Sequence, residues 1–278
     1  MFRIPKPGYL ELVILLLLVL SASLVQAVEQ IKVGVLSHRG DEATLKLWAP
    51  TADYLSNTIP EHEFLVVPLD FDEIQPAVAN REIDVLLVNP GIYVVMEVKH
   101  RISRIATMNN LVGKNKMNVF GGLIFTSAVN KEFDSIEDLK NHSFMAVDKT
   151  SLGGYQMAWR ELAANGIDLH SDMKVSFGGI HDEVVQAVLS GKVDAGTVRT
   201  GIITSMAEQG IINLSDVKVL NAKNSDGFPL PHSTSLYPEW PFSKLHHTCL
   251  LYTSPSPRDM IPDLVCRLLL EKGGGGGG

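Results

Sequence analysis

Residues 31–70, "IKVGVLSHRGDEATLKLWAPTADYLSNTIPEHEFLVVPLD", switch from a short apolar run to a helical pattern and back to a second apolar run. The first run, "IKVGVLS", reads as a strand. In "DEATLKLWAPTADYLSNTI", Leu45, Trp48, Ala52 and Leu55 fall on one helical face and Pro60 ends the segment. "HEFLVVPLD" reads as the next strand. One strand, one helix and one strand within forty residues is a βαβ unit, whose strands pair in parallel.

The same alternation continues outward. "FDEIQPAVANREI" reads as a short helix, "DVLLVN" as a strand buried on both faces, and "PGIYVVMEVKH" as a helix begun by proline. "SRIATMNN" closes a first lobe. "VFGGLIFTSA" is the next strand, "SIEDLKN" a capped short helix, "HSFMAVDK" a strand, and "TSLGGYQMAWRELAANG" a long helix stopped by Gly166. "DMKVSFGG", "HDEVVQAVLSGK", "VDAGTVRT" and "GIITSMAEQG" repeat the pattern. The expected fold is α/β with two lobes, each a mostly parallel sheet flanked by helices. Residues 28–117 with 222–248 make lobe 1 and residues 118–221 make lobe 2, joined near 115–121 and again near 219–227.

The two ends read differently from the middle. Residues 1–27 have Arg3 and Lys6, an apolar run at 12–20, and small residues before Ala27, the pattern of a secretory signal cleaved after Ala27 or of an uncleaved membrane anchor. The apolar run is short of the ~20 residues that a membrane span needs. Either way the rest of the chain is expected outside the cytoplasmic membrane, in the periplasm. At the other end, residues 249–259 and 264–272 are encodable by codons that resemble a sequencing adapter, and six glycines follow. Residues 249–278 are therefore expected to be artefact and not natural sequence, so that Thr248 is a truncation point. Both cysteines, Cys249 and Cys266, lie in that tail, which leaves the remainder without thiol or disulfide chemistry.

Composition narrows the function. With 24 Lys and Arg against 31 Asp and Glu, the net charge of −7 argues against nucleic acid as a partner, since a polyanion is repelled by the overall field. An anionic ligand needs a local positive site. In open α/β sheets, ligands bind at the carboxyl ends of the strands, and five strand-end loops carry suitable residues. They hold His38 and Arg39; Asn89 with Tyr93 one turn on; Lys149, Thr150, Ser151, Gly153 and Gly154; His181 and Asp182; and Arg199. The "KTSLGG" loop opens a helix, whose first turn offers unpaired N–H groups and a partial positive charge. Thr150 or Ser151 can equally serve as a simple cap. His38 and Arg39 are cleft cations or solvated loop residues, Tyr93 a ligand contact or a packing residue, and Asp182 a helix cap. Phe120-Gly121-Gly122 marks the crossover, where glycine permits close approach or bending. Trp48, Trp159 and Trp240 read as core or lobe-surface residues. His232, His246 and His247 match no metal-ligand spacing, and no nucleophile elbow, P-loop or dinucleotide fingerprint is present, so neither metal, cofactor nor catalysis is expected.

Taken together, "PTADYLS", "VPLDFDEI", "DVLLVNPGIYV", "FGGLIFT", "VDKTSLGGYQMAWREL", "DAGTVRT" and "HSTSLYPEWPF" resemble the phosphonate-binding periplasmic protein family. Within it they are most similar to the periplasmic sensor domains of tetrathionate-sensor-like histidine kinases. The resemblance implies a type II periplasmic binding fold that captures a small anionic solute by lobe closure without chemistry. It implies one of two partners, a membrane histidine kinase module in the same chain or the permease of an ABC importer. It also implies an anion held at Thr150, Ser151, Gly153 and Gly154, although "KTSLGG" is looser than the family's Ser/Thr-rich run.

Overall fold

The computed structural model describes residues 29–248; the expected signal or anchor at 1–27 and the adapter-like tail at 249–278 lie outside them. The first lobe opens with β1 (Glu29–Leu36), α1 (Asp41–Thr58), β2 (His62–Leu69), α2 (Ile74–Ala79), β3 (Val85–Leu87), α3 (Pro90–His100) and β4 (Ser103–Thr107). A hairpin, β5 (Asn110–Val112) and β6 (Asn115–Met117), leads to β7 (Val119–Phe120) and into the second lobe. That lobe contains β8 (Gly122–Ser127), β9 (Ser143–Ala146), a π-helical turn (Leu152–Gln156) continued by α4 (Met157–Ala164), α5 (Leu169–Asp172), β10 (Lys174–Phe177), α6 (His181–Leu189), β11 (Ala195–Arg199), α7 (Ile202–Glu208) and β12 (Val217–Leu220). The chain finishes with β13 (Lys223–Ser225), β14 (Phe228–His232), β15 (Tyr237–Pro238) and β16 (Pro241–Lys244).

The two five-stranded sheets have the same plan, β2-β1-β3-β16-β4 and β10-β9-β11-β8-β12. In each, the first three strands pair in parallel, and one strand delivered by the interlobe crossing runs antiparallel to both of its neighbours. The alternating pattern therefore marks the strands that share a direction. The sheets are mixed because β16 and β8 enter after a crossing and not through a helix.

Burial explains the strand pattern. Ile31, Val33, Val35 and Leu36 of β1 are all at most 5% exposed, each worth roughly 1.5–3 kcal/mol of transfer free energy. Gly34 between them is tight because a Cβ there would meet Ile83 Cδ1 at 2.6 Å. On α1 the inward stripe is Thr44, Trp48, Ala52 and Leu55. Leu45, expected on that face, is 43% exposed, because stepping back one 3.6-residue turn from Trp48 lands nearer Thr44.

The second crossing is at Tyr237–Pro238, which pairs with Val119–Phe120 to form a two-stranded hinge. It falls beyond the 219–227 position that the turn residues there suggest. Asp226-Gly227 is instead the tip of the β13–β14 hairpin, with Gly227 at φ 75°. Residues 223–234, expected with lobe 1, pack on lobe 2. Ser233 N–H donates to the Gly122 carbonyl at 2.8 Å, and its hydroxyl donates to the Leu220 carbonyl at 2.7 Å. Among the described residues no helix is long and apolar enough to cross a membrane.

Candidate functional site

The carboxyl ends of both sheets face each other, and a small cavity between them is lined by Leu36, His38, Phe71, Asn89, Phe120, Ser151, Gly153, His181, Arg199 and Trp240. Its volume of about 10 Å³ is close to the minimum for one water molecule. His38, Phe120, Arg199 and Trp240 also line a wide cleft of about 1100 Å³ that lies between α1, the β5–β6 hairpin and α7.

Lobe 2 supplies most of the polar groups. Ser151 is 3% exposed and caps the π-helical turn, its Oγ accepting from Gly154 N–H at 3.2 Å. Both glycines here are demanded by crowding. A Cβ on Gly153 would meet Arg199 Cβ at 2.7 Å, and one on Gly154 would meet Val147 Cγ2 at 2.5 Å and His181 Cε1 at 2.9 Å. Arg199 extends from the end of β11 between two rings, its guanidinium 4.5 Å from the Phe120 centroid and 5.5 Å from that of Trp240. Its Nη2 donates to Glu239 Oε1 at 2.6 Å, and both side chains are largely buried, 11% and 2% exposed. The same Oε1 accepts from Asn110 Nδ2 at 2.7 Å, and Oε2 accepts from Trp240 N–H at 3.2 Å.

Two imidazoles meet edge to face across the lobes, His38 and His181, with centroids 5.6 Å apart. Burial and the nearby Arg199 charge push the His38 pKa down to about 3. Burial likewise holds His181 well below the ordinary histidine value, reinforced by His38, Arg199 and Arg39. Both rings are therefore neutral near pH 7. His38 Nδ1 lies 3.4 Å from the Leu36 carbonyl and so carries the proton, leaving Nε2 as an acceptor. His181 Nδ1 accepts from Arg199 N–H at 3.4 Å, which leaves its Nε2–H as a donor. Trp240 Nε1 is buried without a hydrogen-bond partner.

Other bonds across the cleft hold the lobes together. His181 N–H donates to the His38 carbonyl at 3.1 Å. Asn89, buried at 3% exposure, caps α3 through Oδ1 and donates Nδ2 to the Thr150 carbonyl at 3.2 Å. Arg39 makes a two-pronged pair with Asp182, both contacts 2.7 Å, and adds bonds to Ser205 Oγ at 3.1 Å and Gln209 Oε1 at 3.0 Å.

Of the residues singled out in the sequence, the cavity thus brings together His38, Asn89, Ser151, Gly153, His181 and Arg199, with Gly154 directly behind them. Five lie elsewhere: Lys149, whose Nζ sits 5.8 Å from the Phe177 ring centroid, Asp182, Arg39, Thr150 and Tyr93. Arg39 is committed to Asp182 at the cleft, because the α6 start faces its loop and offers a carboxylate. Thr150 is exposed and donates its hydroxyl to Asp148 Oδ1 at 2.6 Å in a local turn. Tyr93 points along its own helix to Glu97 Oε1 at 2.6 Å, since one turn after the cap its ring has rotated off the strand end. Phe71, Phe120, Glu239 and Trp240 join the site with no motif in the sequence to mark them. Trp240 is both core and cavity wall, and Glu239-Trp240 stood in "HSTSLYPEWPF" with no local signal that it returns to the cleft.

Two lobes with one shared plan, joined by a double crossing and enclosing polar strand ends, define a two-lobed solute-binding domain. Residues 33–249 match the family described as ABC transporter, phosphonate, periplasmic substrate-binding protein, and the chain belongs to that family. It is a periplasmic, non-catalytic substrate-binding domain. The chain is 29% identical over 243 residues to the tetrathionate sensor histidine kinase TtrS of Salmonella typhimurium, covering 86% of this chain but only 39% of that protein. Solved structures share the fold. A phosphonate-transporter binding protein from Pseudomonas aeruginosa aligns with TM-score 0.65 at 16% identity, covering 87% of this chain and 73% of that one. PhnD1 of Prochlorococcus marinus, in complex with methylphosphonate, aligns at 0.62 and 17%, covering 79% and 78%. The aliphatic sulphonate binding protein SsuA of Escherichia coli aligns at 0.57 and 14%, covering 88% and 72%.

Proposed function

We propose that this domain captures a small anionic solute between its lobes and serves as the sensory part of a membrane histidine kinase in a two-component system. The observation that carries the binding site is the interlobe cavity, to which both halves contribute: His38, Asn89 and Trp240 from one side, Ser151, Gly153, His181 and Arg199 from the other. A ligand that bridges such groups favours closure through its differential contacts with the closed form. The unpartnered Trp240 Nε1 and the His181 Nε2–H supply donors, and Gly153 lets the turn pack closely against Arg199 and Phe120. The kinase reading rests on the similarity to a sensor kinase of which this chain spans about two fifths. In this reading residues 1–27 provide export, as a cleaved signal or a retained anchor. Membership of the phosphonate-transporter family favours a second reading, a binding protein that feeds an ABC importer.

A thermal-shift screen against phosphonates, sulfur oxyanions and carboxylates identifies the ligand, because binding to the folded state alone raises the melting temperature. Calorimetry on Ser151→Ala then tests the site. Loss of one hydrogen bond to a charged group, about 1.5–3 kcal/mol, predicts affinity weaker by roughly 10- to 100-fold. Unchanged affinity with an intact fold removes this loop from the site. The gene sequence downstream of Thr248 separates the two partners: a membrane span and kinase sequence support the sensor, and a final helix with a stop codon supports the importer.

A further inference from the structure

Arg199 is the one formally charged residue that lines the cavity, and it is already paired. Glu239, 2% exposed, holds its guanidinium at 2.6 Å and is itself fixed by Asn110 and by the Trp240 N–H. Pulling this carboxylate off its partner would leave a buried charge alone, which is strongly unfavourable. The ion pair therefore stays as an entering ligand meets it, and the guanidinium brings its counter-ion along. In the adjoining cleft, which Arg39 and Lys46 also line, Arg39 is paired with Asp182 at 2.7 Å. The two imidazoles add no charge, and His38 turns a bare Nε2 lone pair to its surroundings.

From this geometry we propose that Glu239 is a specificity-determining residue that makes the site charge-neutral and selects singly charged oxyanions over doubly charged ones. This rests on the anion-binding reading above. A monoanion finds the exposed edge of the guanidinium together with the Ser151, His181 and Trp240 donors. A second negative charge finds no second cation on the cavity wall to balance it, and lies near the Glu239 carboxylate inside a poorly screened site.

Methanesulfonate and sulfate are matched tetrahedral probes with one and two charges. Calorimetry on the whole chain is expected to give at least tenfold tighter binding of methanesulfonate, and Glu239→Gln to shift the ratio at least tenfold toward sulfate. Because that variant removes a buried ion pair and can fail to fold, wild-type protein provides a second arm. Methylphosphonate affinity should fall as pH rises from about 6 to 8.5 and the ligand loses its second proton, whereas methanesulfonate affinity stays constant. Sulfate binding as tightly as methanesulfonate, or methylphosphonate tightening as it becomes a dianion, overturns the charge selection and leaves the anion site standing. Failure of all three probes to bind folded protein overturns the anion site and this inference with it.

Discussion

The lobes share one strand order, yet their equivalent loops build unlike surfaces. The loop after β1 ends in His38 and Arg39; the loop after β9, its counterpart, is the Ser151-Leu152-Gly153-Gly154 turn. Lobe 1 and the returning chain contribute the rings of His38, Phe71 and Trp240 with the Asn89 amide, while lobe 2 contributes hydroxyl, backbone and guanidinium groups with the His181 imidazole. Topology fixes where a ligand can sit, and local crowding fixes which half has no room for change.

Glycine substitutions test that contrast most strongly. Gly154→Ala pushes a methyl into Val147 and His181 and should cost about 1–3 kcal/mol of stability, seen as a lower denaturation midpoint together with weakened ligand binding. Gly91, in the first turn of α3, is the lobe 1 comparison: a Cβ there would meet the movable end of Gln156 at 2.9 Å and Asn89 Oδ1 at 3.1 Å. Gly91→Ala should cost less than about 1 kcal/mol, since helical alanine is intrinsically favoured over glycine. Equal losses in the two variants would erase the distinction between the lobes.

The imidazole pair sharpens the comparison through pH. Its folded-state pKa values are depressed, so the unfolded chain takes up protons that the folded chain refuses. Stability is thus fully present above about pH 6.5 and is lost as pH falls toward 3. For His38 alone the loss is roughly 1.4 kcal/mol by about pH 5.5, and His181 adds in the same direction. Melting temperature against pH should therefore be flatter in His38→Gln; an identical slope would show that the ring is solvated.

The smallest effect is expected at the cleft edge. Arg39 and Asp182 are partly exposed, 14% and 25%, and such pairs contribute only about 0–1 kcal/mol to folding. Arg39→Ala should barely move the melting temperature while enlarging the radius of gyration of the ligand-free protein in X-ray scattering, because a contact between lobes has been released. An unchanged radius would show that the pair does not hold them closed.

Legibility in the sequence followed the range of the forces involved. The 3.6- and 2-residue periods marked the β1–α1–β2 unit, and the small polar residues after each strand marked Ser151, Asn89, His181 and Arg199, because those signals lie within a few residues of one another. The misplaced second crossing has the same origin. Asp226-Gly227 announces a turn, and nothing local tells a hairpin tip from a linker.

What the sequence by itself determined is the alternating architecture, the strand-end loops and the glycines at 153 and 154, all consequences of backbone geometry and nearest-neighbour sterics. Only the tertiary structure decided what the charges do. Arg39 and Asp182 are 143 residues apart, and Arg199 and Glu239 are 40 apart. Whether a guanidinium is free for a ligand or already neutralised depends on which carboxylate the fold carries back to it, since Coulomb energy follows distance in space and not along the chain.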